Sequence, residues 1–290
     1  MTLHFAPRGF NKDQWARFNR DGFLVLDSAI STENIARYRQ AHRRIRQGKQ
    51  GFDPGRFSEV KNMVAADRTV AELIDHPDHI GYVYDLFGEL TKLHMSQCFW
   101  RPRMSKCTEW HIDGPRAVPM SVYSGTLPML LKVGYWLTPV DSENMGNLVV
   151  VPGSHRRRDF EQYTTHDRAP GEIQLKLPAG SITLMHAAIW HRTAPVTSGQ
   201  PRENFYLSYC PSWIESGDRK SSDSDWLNTL TREQRIIMRD YKEPYRSAKP
   251  PASDSPLYLA DPGTSTIDDD NDNVPPELRR RRLRISNLYR

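Results

Sequence analysis

From Leu90 onward, short runs of β-forming residues alternate with glycine and proline turns, and this alternation limits the folds open to the chain. Runs of this kind are typical of strands, and no helical pattern separates them. Many short strands in succession predict a mainly β (α+β) sandwich or barrel with helices packed on its outside. The predicted strands cover 92–101, 108–113, 129–138, 147–151, 173–177, 181–190 and 202–210.

Apolar residues at helical spacing, together with capping residues, predict helices on both sides of this region. The predicted helices cover 11–20, 31–47, 69–75, 79–87 and 225–241. A short predicted strand over 23–26 lies between the first two helices. We therefore predict a single domain over 1–290, with its core at about 14–213 and a C-terminal helix and irregular tail over 214–290.

Composition excludes several classes of protein. Hydrophobic residues make up 38% of the 290 residues, which is enough for a sizeable core and too much for a disordered chain. The chain has no run of about 18 apolar residues, so we predict no membrane span. Its N-terminus lacks an apolar signal region, and Cys98, Cys107 and Cys210 lack paired spacing. These features predict a cytoplasmic protein in a reducing compartment.

The charge of the chain is +5, from 40 basic and 35 acidic residues, and its excess lies partly in the last twelve residues. Arg279–Arg282, Arg284 and Arg290 form this basic tail, which we interpret as a solvated end. Docking of the tail to the acidic stretch at 268–272, or to a partner, is the alternative. The near-neutral body predicts that the chain does not bind nucleic acid.

His111 and Asp113 are the first candidates for a metal site. Residues i and i+2 of a strand project from the same face, so this imidazole and carboxylate would point together into the barrel. A third ligand would complete the two-histidine, one-carboxylate triad that holds non-haem Fe(II). A second pair of this type, His76 and Asp78, flanks a proline at a helix break, and we interpret it as a surface turn.

His191, at the end of the predicted strand 181–190, is the candidate for the third ligand. Arg202 begins the next strand, and a cation in that place suits a keto-diacid whose other end binds iron. Thr193 shares the face of His191 and offers a hydroxyl to the same carboxylate. His186 competes with His191, but residues five apart on one strand face opposite sides. We favour His191 because Thr193 and Arg202 accompany it.

Four stretches of the chain resemble the phytanoyl-CoA dioxygenase family of Fe(II)/2-oxoglutarate oxygenases. They are FNRDGFLVLDSAIS, WHID, MGNLVVVPGSH, and His191 with an arginine eleven residues later. The similarity covers roughly 14–213. It implies a double-stranded β-helix (jelly-roll) core with flanking N-terminal helices.

The resemblance also implies roles for individual residues. The metal ligands of the catalytic site would be His111, Asp113 and His191, and the residues that hold 2-oxoglutarate would be Arg202 and Thr193. Looser matches place Trp136, Gln97 and Lys61 near this cosubstrate. Halogenating relatives carry a small residue where this chain has Asp113, so the resemblance favours oxygenation.

The expected function is that of an oxygenase using Fe(II), 2-oxoglutarate and O2. It would hydroxylate an unactivated C–H bond of a small molecule, with release of succinate and CO2, and the expected setting is secondary metabolism. Desaturation, epoxidation and ring closure are related outcomes. The alternatives are a non-catalytic β-helix that binds a ligand or protein, and a demethylase of the same chemistry. Basic residues around the first motif form either a solvated rim or a cationic mouth for an anionic substrate: Arg101, Arg103, Lys106 and Arg116.

Overall fold

Two antiparallel sheets form the centre of the fold in the computed structural model of the chain. The structure describes residues 7–104, 106–113, 128–157, 165–243, 245–248, 250–255 and 257–258. The strands are β1 (Phe23–Leu26), β2 (Ser58–Lys61), β3 (Thr91–Arg101), β4 (Leu131–Trp136), β5 (Leu148–Val150), β6 (Ile173–Gln174), β7 (Ile182–His186), β8 (His191–Thr193) and β9 (Arg202–Pro211). The large sheet has the order β1-β7-β4-β9-β3-β2, and the small sheet has the order β6-β5-β8. The predicted mainly β architecture is confirmed.

Helices cover one face of the large sheet and begin where the sequence offers caps. The helices are α1 (Lys12–Asp21), α2 (Thr32–Gly48), α3 (Met63–Ala66), α4 (Arg68–Ala71), α5 (Pro77–Phe87), α6 (Ser224–Asn228), α7 (Arg232–Met238) and α8 (Tyr245–Ala248). Asn11 and Gln14 form a capping box on α1, and Ser31 caps α2. Gly22 ends α1 with a φ of 83°, a conformation that glycine adopts without strain.

The two faces of β9 enter two different cores. Phe205 and Leu207 point outward and pack in one cluster with Tyr38 of α2. Tyr206 points inward, into a cluster that also contains Val150 of the small sheet. The alternation of side chains along a strand thus separates a helix-covered face from the interior between the sheets.

The structure corrects two predicted strands. Residues 108–113 form no regular strand, and His111 makes only an isolated bridge to His191. The predicted strand 181–190 is two strands, because a buried turn closed by a hydrogen bond from Ile189 to His186 separates β7 from β8. The apolar run before His191 is therefore a buried turn, and His186 and His191 lie on different sheets.

Other boundaries also differ from the prediction. The predicted helix 225–241 is divided into α6 and α7, because Thr231 caps a new helix start. The predicted strand 173–177 pairs only at β6, and β2 was not predicted. Arg116 and the arginine tail at 279–290 lie outside the described residues. In the described part of the chain, every helix falls short of the length and apolar character that a membrane crossing needs.

Gly134 gives the first testable prediction, because the inner face of β4 has no room for a side chain at this position. A Cβ there would lie 2.5 Å from the Thr183 hydroxyl and 2.7 Å from the Tyr206 ring. We expect Gly134→Ala to lower the free energy of unfolding by about 1–3 kcal/mol, the usual range for overpacking. Chemical denaturation measures this loss.

Gly48 provides the matched control, since a Cβ there meets nothing within 4 Å at the end of α2. Gly48→Ala is expected to leave stability unchanged or to raise it, because alanine favours the helix. Equal destabilisation by the two substitutions would contradict this account of Gly134.

Candidate metal centre

Three side chains of the types that bind metals converge between the sheets. One ligand atom from each of His111, Asp113 and His191 lies within 4.8 Å of the others. The two imidazole centroids are 4.2 Å apart, and His191 Nε2 is 3.9 Å from Asp113 Oδ1. Among the described residues, this is the one group of three or more such side chains that could hold a metal ion.

Backbone hydrogen bonds hold these three residues together. The amide of His111 donates to the carbonyl of His191 and the amide of His191 donates back, each at 3.0 Å. The amide of Asp113 donates to the carbonyl of Ala187 at 2.9 Å. The irregular segment around His111 is thereby attached to β8, although it forms no strand of its own.

The hydrogen bonds of the imidazoles set their protonation. Nδ1 of His111 lies 2.9 Å from the Glu109 carbonyl oxygen, and Nδ1 of His191 lies 3.0 Å from that of Ile189. A carbonyl only accepts, so each Nδ1 carries the proton and each Nε2 offers its lone pair. Burial, with His111 close by, lowers the pKa of His191 to about 3. His191 is therefore neutral at pH 7, the form that binds metals.

Lys132 of β4 neutralises the carboxylate of this group. Its Nζ lies 2.8 Å from Oδ2 and 3.0 Å from Oδ1 of Asp113. Burial acts to raise the pKa of Asp113, but Lys132 and His191 overcome it and lower that pKa to about 2. Sequence reasoning missed Lys132. The one available signal was a lone charged residue inside the apolar strand LKVGYW.

The other histidines considered from sequence lie elsewhere. Nδ1 of His76 accepts from the Asp78 amide and caps α5, so His76 belongs to a helix start. Nδ1 of His186 accepts from the Ala188 amide, and its ring lies 4.9 Å from that of His155.

Arg202 supplies a buried cation on the inner face of β9. It is 2% exposed and donates to the Gly146 carbonyl. Among the described residues it has no ion pair with a carboxylate, and burial lowers its pKa. Its guanidinium carbon lies 5.4 Å from the Trp136 ring centroid, while the Trp136 indole donates to Thr183. A buried guanidinium without an acid partner fits an anionic ligand.

The remaining residues predicted to contact the cosubstrate differ in how close to the interior they lie. Thr193 stands two residues after His191 on β8, opposite Leu148 of the inner cluster. Gln97 donates its amide to Glu59 at 2.7 Å. Lys61 is exposed on the edge strand β2, where it pairs with Gln97 in register. The structure therefore brings Thr193 to the interior and leaves Lys61 at the edge of the sheet.

Two further polar residues face the interior beside Arg202. Arg101 pairs with Arg202 in the register of β3 and β9, and it is 5% exposed. Asn204 is fully buried, and neither atom of its amide has a hydrogen-bond partner among the described residues. Of the predicted basic rim, Arg103 and Lys106 are exposed, whereas Arg101 is not. Sequence reasoning missed Asn204, because its burial depends on the pairing of distant strands.

The donor set fits iron. Two imidazoles and one carboxylate on one side of a site are the ligands of the facial triad, which leaves further positions open for other ligands. The buried guanidinium of Arg202 fits the far end of a diacid that chelates the same metal. His191 lies on the small sheet and Arg202 on the large sheet, and both point to the same ligand chemistry.

Comparison with solved structures supports the fold. HygX from Streptomyces hygroscopicus, solved with nickel and 2-oxoglutarate bound, superposes with a TM-score of 0.61 at 18% identity, covering 75% of this chain and 94% of that one. SnoN, a non-haem α-ketoglutarate-dependent epimerase from nogalamycin biosynthesis, superposes with a TM-score of 0.56 at 21% identity, covering 69% and 82%. These neighbours share the double-stranded β-helix expected from the sequence.

Sequence comparison assigns the family. An ectoine dioxygenase of Nocardia farcinica is 23% identical over 240 residues, which cover 69% of this chain and 77% of that protein. The model of the phytanoyl-CoA dioxygenase (PhyH) family matches residues 18–204, more than half of the chain. The chain therefore belongs to the phytanoyl-CoA dioxygenase family, and it is an Fe(II)/2-oxoglutarate-dependent oxygenase.

Proposed function

We propose that the chain hydroxylates an unactivated C–H bond of a small molecule, with release of succinate and CO2. The observation that carries this proposal is the convergence of His111, Asp113 and His191 within 4.8 Å. Iron, 2-oxoglutarate and O2 together supply the oxidising chemistry when bound. The protein binds these reactants, orients the target bond and excludes water.

The metal ligands are Nε2 of His111, Nε2 of His191 and the carboxylate of Asp113. The backbone bonds described above fix their positions, and the carbonyl partners of Nδ1 fix the tautomer of each imidazole. Lys132 holds the carboxylate in place through its ammonium group. A site with its ligands already placed loses little entropy when the metal binds.

Arg202 binds the terminal carboxylate of 2-oxoglutarate, with help from the Thr193 hydroxyl. With 2-oxoglutarate bound, the buried guanidinium would supply the charge-assisted hydrogen bonds that arginine makes to carboxylates. Trp136 forms the wall beside this guanidinium. We assign weaker contacts to Gln97 and Lys61, which lie on the next strands of the same sheet.

The substrate is a small organic molecule, and we place the reaction in secondary metabolism. HygX was also solved with hygromycin B bound, and SnoN belongs to nogalamycin biosynthesis. Exposed Arg103 and Lys106, near the first metal motif, favour an anionic group on the substrate. Cys98, Cys107 and Cys210 are free thiols, which supports a cytoplasmic location for this single-domain enzyme.

A charge-transfer band tests the cofactor site without a substrate. Fe(II) and 2-oxoglutarate, added without oxygen, should give the weak visible band of a chelated keto-acid. We expect the band to be lost in His191→Ala and Arg202→Ala and to remain in His76→Ala, since His76 only caps a helix. Absorption spectroscopy measures it, and no band from folded wild-type protein would contradict the proposal.

Turnover of 2-oxoglutarate tests the ligands separately. We expect His111→Ala and Asp113→Ala to reduce turnover by about 100-fold or more, because even residues that support metal ligands are worth 10–100-fold. His76→Ala should retain wild-type turnover. Succinate release measures the rate, and wild-type activity in the His111 variant would refute this ligand assignment.

Lys132 and a bound cation both neutralise Asp113, so the gain in stability on metal binding depends on whether Lys132 is present. We expect Lys132→Met to lower the stability of chelator-treated protein by about 1–3 kcal/mol, since a partly buried carboxylate loses its partner. Added Mn(II) should then stabilise the variant more than it stabilises the wild type. Thermal unfolding with and without Mn(II) measures both effects.

Exposed Lys176 offers the matched control for this substitution. Lys176→Met makes the same chemical change away from the site, and it should alter neither quantity. An identical response to Mn(II) in Lys132→Met and wild type would show that Lys132 does not compensate the carboxylate.

A further inference from the structure

Two buried guanidinium groups lie side by side at one end of the interior. Arg101 ends β3 and Arg202 begins β9, and the two residues are direct partners in the antiparallel register. Paired residues on adjacent strands project to the same side with Cβ atoms about 5 Å apart. Arg101 is 5% exposed and Arg202 is 2% exposed, so little water screens their mutual repulsion.

In the described part of the chain, the groups around this pair are uncharged. Arg101 Nη1 contacts the Met104 sulfur at 3.6 Å, and its guanidinium lies 4.8 Å from the Phe57 ring centroid. Among the described residues, neither arginine forms an ion pair with a carboxylate, and Nε of each lacks a hydrogen-bond partner. Burial and the nearby Arg202 both lower the pKa of Arg101, to about 9. Two buried cations with unused donors are costly unless an anion joins them.

Asn204 adds a third polar side chain at the same place. It follows Arg202 by two residues on β9 and therefore shares its face. Its amide is fully buried, and neither its nitrogen nor its oxygen has a partner in the described part of the chain. An amide nitrogen beside two guanidinium groups completes a set of donors around one position.

We propose that Arg101, Arg202 and Asn204 form a single carboxylate site, and that Arg101 is a second cationic contact for the terminal carboxylate of 2-oxoglutarate. This inference rests on the proposed function, which assigns that carboxylate to Arg202. A carboxylate has about four lone-pair positions, enough to accept from two guanidinium forks and an amide. The site favours 2-oxo diacids, because a 2-oxo acid with an apolar end would leave both cations buried without a partner.

The test compares two ligands that differ only at the end that this site would bind. Dissociation constants of 2-oxoglutarate and 2-oxopentanoate are measured by calorimetry on the anaerobic, Fe(II)-loaded full chain. We expect Arg101→Met to raise the dissociation constant of 2-oxoglutarate by about 10-fold or more, which is the effect of losing one charge-assisted hydrogen bond. Its affinity for 2-oxopentanoate should match that of wild type. Arg43→Met removes an exposed cation from α2 and should change neither constant.

Asn204→Asp gives an independent test, because the substitution keeps the size of the side chain and so leaves the packing intact. The new carboxylate would lie beside both guanidinium groups and offset one of their two positive charges from within the chain. We expect a higher melting temperature without ligand, together with weaker binding of 2-oxoglutarate. Arg101→Lys keeps the positive charge but loses the forked guanidinium. Its affinity for 2-oxoglutarate should lie between those of wild type and Arg101→Met.

Several outcomes would overturn the inference. One is unchanged affinity of Arg101→Met for 2-oxoglutarate while Arg202→Met weakens it, which would leave the proposed function standing. Another is that Arg101→Met weakens the binding of 2-oxopentanoate as much as the binding of 2-oxoglutarate, which would indicate a general loss of structure. Failure of Fe(II)-loaded wild type to bind 2-oxoglutarate would instead refute the proposed function, and this inference with it.

Discussion

Two backbone hydrogen bonds between His111 and His191 position the candidate metal centre. They connect a segment without regular structure to β8, and β8 is in turn paired with β5. Because each Nδ1 bonds to a carbonyl two residues earlier in the chain, the backbone sets the tautomers as well as the positions. The positions of these three side chains therefore depend on main-chain geometry.

β9 connects this centre to the N-terminal helices. Arg202 and Asn204 point inward, while Glu203 between them points outward and pairs with Arg39 and Arg46 of α2. The pair with Arg46 is largely buried and geometrically tight, at 2.9 Å. The strand that carries Arg202 and Asn204 is thus anchored from its outer side by α2, through Glu203.

Local signals in the sequence predicted α1, β1, α2 and β9, because caps, helical spacing and strand runs act within a few residues. The convergence of His111, Asp113 and His191 was predicted, but the strand over 108–113 on which the spacing argument rested is absent, and backbone bonds to His191 and Ala187 bring the residues together instead. The split of the predicted strand 181–190 could not be predicted, since a buried turn is as apolar as a buried strand. The interior positions of Lys132, Asn204 and Arg101 depend on the register of strands far apart in sequence, which local patterns do not encode.

The ion pair between Lys132 and Asp113 separates folding from the acquisition of iron. In small zinc proteins the metal supplies the folding energy, and the chain is unfolded without it. Here the chain carries its own counter-charge for the one carboxylate, and the buried imidazole of His191 is neutral at pH 7. The free energy of folding therefore does not have to come from the metal alone, and the carboxylate has a partner before a cation arrives.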